Sequence, residues 1–186
     1  MRASQLNRLG VGRTFQQLSV FPKMSVIDNI KVGRHHLLKK GFLAGGLYWL
    51  TGARDEELEH HAAVEEVIDF LEIQAIRNRA AGTLSYGLRK RVELARAVAA
   101  KPKLLLLDEP MAGMGAEESE QMAALIAGLR QDCAVLLIEH DVQAVFRLAD
   151  TVSVLVNGRL IASGEPDVVR SDPGVVAAYL GDQEDA

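Results

Sequence analysis

The sequence predicts an α/β fold with a parallel-sheet core, and three observations predict it. Short apolar runs alternate with helical patterns through the second half of the chain, in the order strand 104–108, helix 117–130, strand 135–138, helix 142–149, strand 151–156. Such alternation gives parallel strands with helices on the sheet faces. The first of these strands, Leu104-Leu105-Leu106-Leu107, is apolar throughout and ends at two adjacent acids, Asp108 and Glu109. A length of 186 residues suits one domain with a sizeable core.

Taken in order, Gly12-Arg13-Thr14-Phe15-Gln16 reads as a short strand opening into a loop, punctuated by Phe21-Pro22. Ser25 starts a helix through Asn29 and Ile30, with Ser25 and Asp28 at capping-box spacing and Asp in place of the preferred Glu. The stretch 39–52 has no clean period and is read as a loop or irregular insertion. From 54 to 71, acids and apolar residues alternate at helical spacing, which predicts an amphipathic helix burying Leu58, Ala62, Val64, Val67, Ile68 and Leu71. A turn at 84–88 leads into a helix to about Ala100, stopped by Pro102. Leu88, Val92, Ala95 and Ala99 share one of its faces, and Arg89, Glu93 and Arg96 another. Asn157-Gly158 between two apolar runs predicts a hairpin, since both turn positions tolerate positive φ, and this pair is expected to edge the sheet. Short helices around Asp167 and Val175 and an acidic tail over 181–186 complete the chain.

Bulk properties exclude several classes. Hydrophobic residues at 48%, charged residues at 25% and a formal net charge of -4 describe a soluble globular chain and argue against a nucleic-acid binder, which carries a basic face. Cys133 is the one cysteine, so no internal disulfide forms and a reducing compartment is expected. No apolar run is long enough to span a bilayer. The first residues lack the basic flank and apolar block of a secretory signal, so cytoplasmic residence is expected.

The chemistry concentrates at strand ends. Carboxylates at the end of an apolar strand are costly unless a cation, water or substrate meets them, and ligands of open α/β sheets gather at the carboxyl ends of strands. As helix-starting acids beside Pro110, Asp108 and Glu109 would be only half explained. In a phosphate-hydrolysing site one acid holds magnesium through water and its neighbour takes a proton from the attacking water; these roles fall to Asp108 and Glu109 respectively. Ser85 and Gly87 precede a helix, where a hydroxyl and free amides suit an anion; taken alone, they would more simply be an N-cap and a tight turn. Ile138-Glu139-His140-Asp141 repeats the pattern of a buried strand delivering polar groups, and places His140 to reach a terminal phosphate. His35, His36, His60 and His61 are adjacent pairs that share no helix face, and no protein-only metal site is expected.

Gln16, the 84–88 turn, Asp108-Glu109 and His140 stand in the order and spacing of the Q-loop, signature, Walker B and H-loop of ATP-binding cassette (ABC) ATPases, and the resemblance covers nearly the whole chain. Arg13-Thr14-Phe15-Gln16, Tyr86, Ala112-Gly113-Met114-Gly115 and Ala178-Tyr179-Leu180-Gly181 look like the ATP-binding subunits of branched-chain amino acid importers, with urea and amide importers as close relatives. The resemblance implies a partial P-loop NTPase-like domain with its helical subdomain and Q-loop side at about 17–83 and its signature, Walker B, H-loop and C-terminal core at about 84–186. It implies ATP and Mg2+ as cofactors, with Gln16 and Asp108 near the metal and Glu109 and His140 catalytic. Ser85 and Gly87 would face ATP held by a second ATP-binding subunit. The implied partners are that subunit and membrane permease subunits, with no nucleic acid, at the inner face of the cell membrane.

Three features depart from that pattern. Tyr86 and Leu88 replace the Gly and Gln favoured in the signature, and Gly115 falls near the usual D-loop aspartate. No G-x-x-x-x-G-K-[ST] phosphate loop occurs; Gly41 and Gly46 have the glycine spacing, but Leu47 and Tyr48 follow. The expectation is a family member shortened at its N-terminus that binds ATP poorly alone and exposes apolar surface, with low solubility or self-association as the result. The alternative is a non-catalytic fragment that only docks or completes a partner's site.

Overall fold

The computed structural model describes residues 6, 9–14, 19–37 and 53–180. Gln16, the 39–52 stretch and the 181–186 tail lie outside the described residues. The chain divides into two compact units, Met1–Ile138 and Glu139–Ala186.

The first unit carries a three-stranded sheet of β1 (Val11–Arg13), β2 (Leu104–Asp108) and β3 (Ala134–Ile138). Its spatial order is β1-β2-β3, and every pairing is parallel. Leu105 and Leu107 of the central strand are fully buried, while Leu104 and Leu106 are half-buried. The expectation of a buried strand before His140 needs correction. Among the described residues β3 pairs with β2 alone, and its Leu136 and Ile138 are 54% and 58% exposed. Because side chains alternate across a pleated strand, one whole face of β3 meets solvent.

Helices build the rest of this unit's core. The first, α1 (Val26–Gly33), starts as predicted: Ser25 is the N-cap and its Oγ accepts from the Asp28 amide. Asp28 is too short to reach back to the Ser25 amide as Glu would, and its carboxylate accepts from the Ser25 hydroxyl instead. Fully buried Asn29 accepts from the Phe21 amide at 2.7 Å and donates to the carbonyls of Phe21, Met24 and Ser25, tying the preceding loop to the helix. The second, α2 (Ala53–Phe70), buries Ala63, Val64 and Ile68, with Leu71 just beyond its end. Leu58 is 60% exposed and Ala62 is exposed, so the predicted stripe is corrected: positions 64, 68 and 71 follow the helical repeat, and 58 and 62 lie off it.

The third, α3 (Tyr86–Ala99), packs against both α1 and α2. Gly33 makes the α1 crossing possible, since a Cβ there would sit 2.1 Å from the Arg96 carbonyl oxygen. The polar face of α3 is itself covered. Glu93 is 2% exposed and accepts from the Ser19 amide and hydroxyl, while Arg96 donates to the Ser19 carbonyl and hydroxyl. Burial lowers the pKa of the Arg96 guanidinium, partly offset by Glu93. Between β2 and β3, α4 (Ala116–Gly128) supplies Met122, Ala123 and Ile126 to the core.

The second unit contains α5 (Val142–Leu148), β4 (Val152–Val156), β5 (Arg159–Gly164), α6 (Pro166–Arg170) and α7 (Pro173–Val175), followed by a π-helical turn Val176–Leu180. Val152, Val169 and Val175 form its core, with Val145, Phe146 and Val154 against them. The hairpin turns as predicted, with Asn157 at φ +50° and Gly158 at φ +76°. The expected pairing with the larger sheet is corrected: among the described residues β4 and β5 pair antiparallel as a two-stranded sheet of their own. Main-chain pairing across a tight turn closes over a short loop and needs no third strand to set its register.

Candidate functional site

The carboxyl end of β2 gathers the predicted acids. Asp108 ends the strand, with its side chain 28% exposed, and Arg13 at the end of adjacent β1 brings Nη2 within 3.5 Å of Asp108 Oδ2. Parallel register accounts for the pairing, because both side chains leave the sheet at the same end. Glu109 follows in the left-handed region, at φ +47°. For a residue with a Cβ this conformation costs about 1–2 kcal/mol and persists only where its surroundings enforce it. Its amide donates to the Ile138 carbonyl at 2.9 Å; its carbonyl accepts from the Ala112 amide and from Lys90 Nζ, both at 3.3 Å.

Ser85 takes the N-cap position of α3, and its Oγ accepts from the Leu88 amide at 3.3 Å. The tight-turn alternative for Gly87 is corrected: it lies in the first helical turn, buried, without a positive φ. The missing side chain leaves room there for a neighbour instead. The Glu118 carboxylate from α4 rests against it, and a Cβ at 87 would stand 2.5 Å from Glu118 Oε1. Leu88 is half-buried and helps line a small cleft with Gly87, Arg91, Met114, Glu118 and Gln121.

The first turns of α3 therefore lie along the segment that leaves β2. Lys90 meets Glu109, the Tyr86 ring lies against Gly113 (φ +76°), and Gly87 meets Glu118. None of Arg13, Lys90 and Glu118 was identified as a site residue from sequence. Lys90 left one trace, a lysine four residues after Tyr86 on the same helix face.

In the second unit, His140 is 72% exposed at its side chain and its Nδ1 lies 3.7 Å from Glu139 Oε2; the Glu139 side chain is 1% exposed. Asp141 caps α5 by accepting from the Ala144 amide. Two other histidines have structural contacts: His60 Nδ1 accepts from Arg34 Nε at 2.9 Å, and His61 Nδ1 lies 3.7 Å from Glu65. Among the described residues, no group of three or more His, Cys, Asp or Glu could hold a metal ion. A half-buried Asp108 with Glu109 beside it still fits magnesium carried by a nucleotide, because that ion keeps several waters and takes one or two carboxylates together with substrate phosphates.

Comparison with known proteins sets the class first. The structure superposes on the ADP conformation of MJ1267, an ATP-binding cassette of an ABC transporter, with a TM-score of 0.77 and 30% identity, covering 97% of this chain and 72% of that one. A nucleotide-free ATP-binding cassette from an ABC transporter matches with a TM-score of 0.75 and 29% identity, over 96% of this chain and 72% of that one. The fold is thus that of an ATP-binding cassette. In sequence, residues 2–112 match the ABC transporter family and residues 159–185 the branched-chain amino acid ATP-binding cassette transporter family. The chain is 38% identical to the high-affinity branched-chain amino acid transport ATP-binding protein BraF of Pseudomonas aeruginosa and 40% identical to LivG, so named for the same role, of Escherichia coli K12. Each match covers 96% of this chain and 70% of the relative. The chain belongs to the ABC transporter family, as an ATP-binding subunit, and by family it is an ATPase whose hydrolysis is coupled to transport.

Proposed function

We propose that this subunit energises an importer of branched-chain amino acids from the inner face of the cell membrane, working with permease subunits and a second ATP-binding subunit. One observation carries the reading: 38–40% identity to BraF and LivG across 96% of the chain. In this reading Asp108 holds the nucleotide's magnesium through water, Glu109 accepts a proton from the attacking water, and His140 and Gln16 meet the γ-phosphate and its metal. Ser85 and Gly87 serve ATP held by the second subunit; Ser85 stands at the positive end of the α3 dipole, where an anion is favoured.

ATPase turnover of the assembled transporter, measured with binding protein loaded with leucine or with urea, tests this. Stimulation by leucine is expected. Stimulation by urea alone would overturn the solute assignment, and no hydrolysis in the assembled complex would overturn the energising role.

A second reading is favoured by one feature, the lack of a G-x-x-x-x-G-K-[ST] run in these 186 residues. Residues 1–186 alone then bind ATP weakly and at most complete a partner's site. Calorimetric titration of this polypeptide with Mg-ATP decides it, and tight binding would dismiss it.

A further inference from the structure

Lys90 is 4% exposed, although lysine side chains normally carry their ammonium out to water. A buried ammonium needs acceptors, and Lys90 Nζ finds one 3.3 Å away in the main-chain carbonyl of Glu109, with the Tyr86 ring centroid at 5.9 Å. Glu109 is also held in the left-handed region, at φ +47°. The backbone angles at residue 109 fix the direction in which its Cβ leaves the chain, so whatever pins this peptide also aims the carboxylate. Two pins are neutral amide bonds, from the Glu109 amide to Ile138 and from the Ala112 amide to Glu109. Lys90 supplies a charged one, and charged donors make the stronger bonds.

We propose that Lys90 is a positioning residue for Glu109, gripping its carbonyl so that the carboxylate is correctly aimed only while the first turns of α3 are seated on the 109–118 segment. This rests on the reading of Glu109 as the group that activates water. Tyr86 and Lys90 stand four residues apart on one helix face and meet Gly113 and Glu109 respectively. Ser85 and Gly87 sit in the same helical turn, so a shift of α3 when a nucleotide meets them is passed through Lys90 to Glu109.

Lys90→Met keeps the aliphatic stem and removes the charge; Lys90→Arg keeps a cation with donors. In the assembled ATPase, Lys90→Met is expected to lower kcat about tenfold or more, the worth of one charge-assisted hydrogen bond, with KM for ATP within about twofold, and Lys90→Arg to recover most of the loss. In the polypeptide without nucleotide, hydrogen exchange at the Glu109 and Ala112 amides should quicken in Lys90→Met and not in Lys90→Arg. Wild-type kcat in Lys90→Met, or exchange unchanged at both amides, overturns the proposal. If Lys90→Met does not fold, Lys90→Gln, which keeps a donor and loses the charge, is read in the same way. If Glu109→Gln hydrolyses ATP as the wild type does, the role given to Glu109 fails instead, and the exchange result still shows whether Lys90 holds the turn.

Discussion

Arg13 and Asp108 meet across the carboxyl ends of two adjacent parallel strands, with Nη2 of the guanidinium 3.5 Å from Oδ2 of the carboxylate. The arginine stands where a cation is wanted, beside a carboxylate that the reading above assigns to magnesium. Its side chain is 53% exposed, so water screens the pair, and such pairs contribute only about 0–1 kcal/mol. Arg13→Gln should therefore leave the melting temperature within a few degrees, an order-of-magnitude expectation for a change of this size. In the assembled ATPase it should lower the magnesium concentration for half-maximal turnover by removing a competing cation. A magnesium requirement that stays the same or rises would show that the two cations do not compete.

Glu109 holds backbone strain that glycine would not. Glu109→Gly should be neutral or stabilising by up to about 1 kcal/mol, because glycine populates positive φ freely, while abolishing turnover in the assembled ATPase. Glu109→Gln keeps the strain, and should keep nucleotide binding while losing hydrolysis. Thermal melts of both variants beside the wild type check the first claim, and a destabilised Glu109→Gly would contradict it.

Two glycines should answer alanine in opposite ways. At Gly33 the new Cβ would stand 2.1 Å from the Arg96 main-chain oxygen, so two helices must separate, and a loss of about 3 kcal/mol or more is expected. At Gly87 it would meet the end of the Glu118 side chain, which can swing away, and the loss should stay near 1 kcal/mol or below. Urea denaturation of both variants gives the comparison. Equal losses would mean that Glu118 is not free to move.

Asn29→Leu should be among the most damaging polar substitutions. It strips hydrogen bonds from the amide and carbonyl of Phe21 and leaves buried polar groups unpaired, each costing about 1–3 kcal/mol. A loss below about 1 kcal/mol in chemical denaturation would show that water replaces those bonds.

The Cys133 thiol has its pKa raised by burial, with Asp132 adding to the shift. At neutral pH it should alkylate more slowly than a free thiol and react readily once urea unfolds the chain. Because the folded chain holds this proton more tightly, the thiol's contribution is fully present below the unfolded thiol pKa and is lost as pH rises through the folded one. Labelling at the free-thiol rate in the native chain would contradict the shift.

Strands β1 to β5 and the long helices could be read in the sequence because local patterns specify them: the four leucines before Asp108, the helical spacing in 54–71, Asn157-Gly158 between apolar runs, and Ser25 as a cap. The misreadings share one cause. Periodicity shows that a strand or helix is apolar on a face but not whether a neighbour covers that face. Leu136 and Ile138 therefore fit their pattern and still meet solvent, and the hairpin formed its own sheet. The sequence shows that Gly87 lacks a side chain but not that Glu118, thirty-one positions later, fills its place.

By itself the sequence determined the α/β class, the order of its elements, the acids at the end of β2 and the family, all of which follow from residues close together along the chain or from an ordered set of short motifs. Only the tertiary structure decided that Arg13 faces Asp108, that Gly33 lets α1 cross α3 and that Lys90 grips the left-handed peptide of Glu109. Contacts between residues far apart in sequence depend on how helices and strands are packed in three dimensions, and no local pattern encodes that placement.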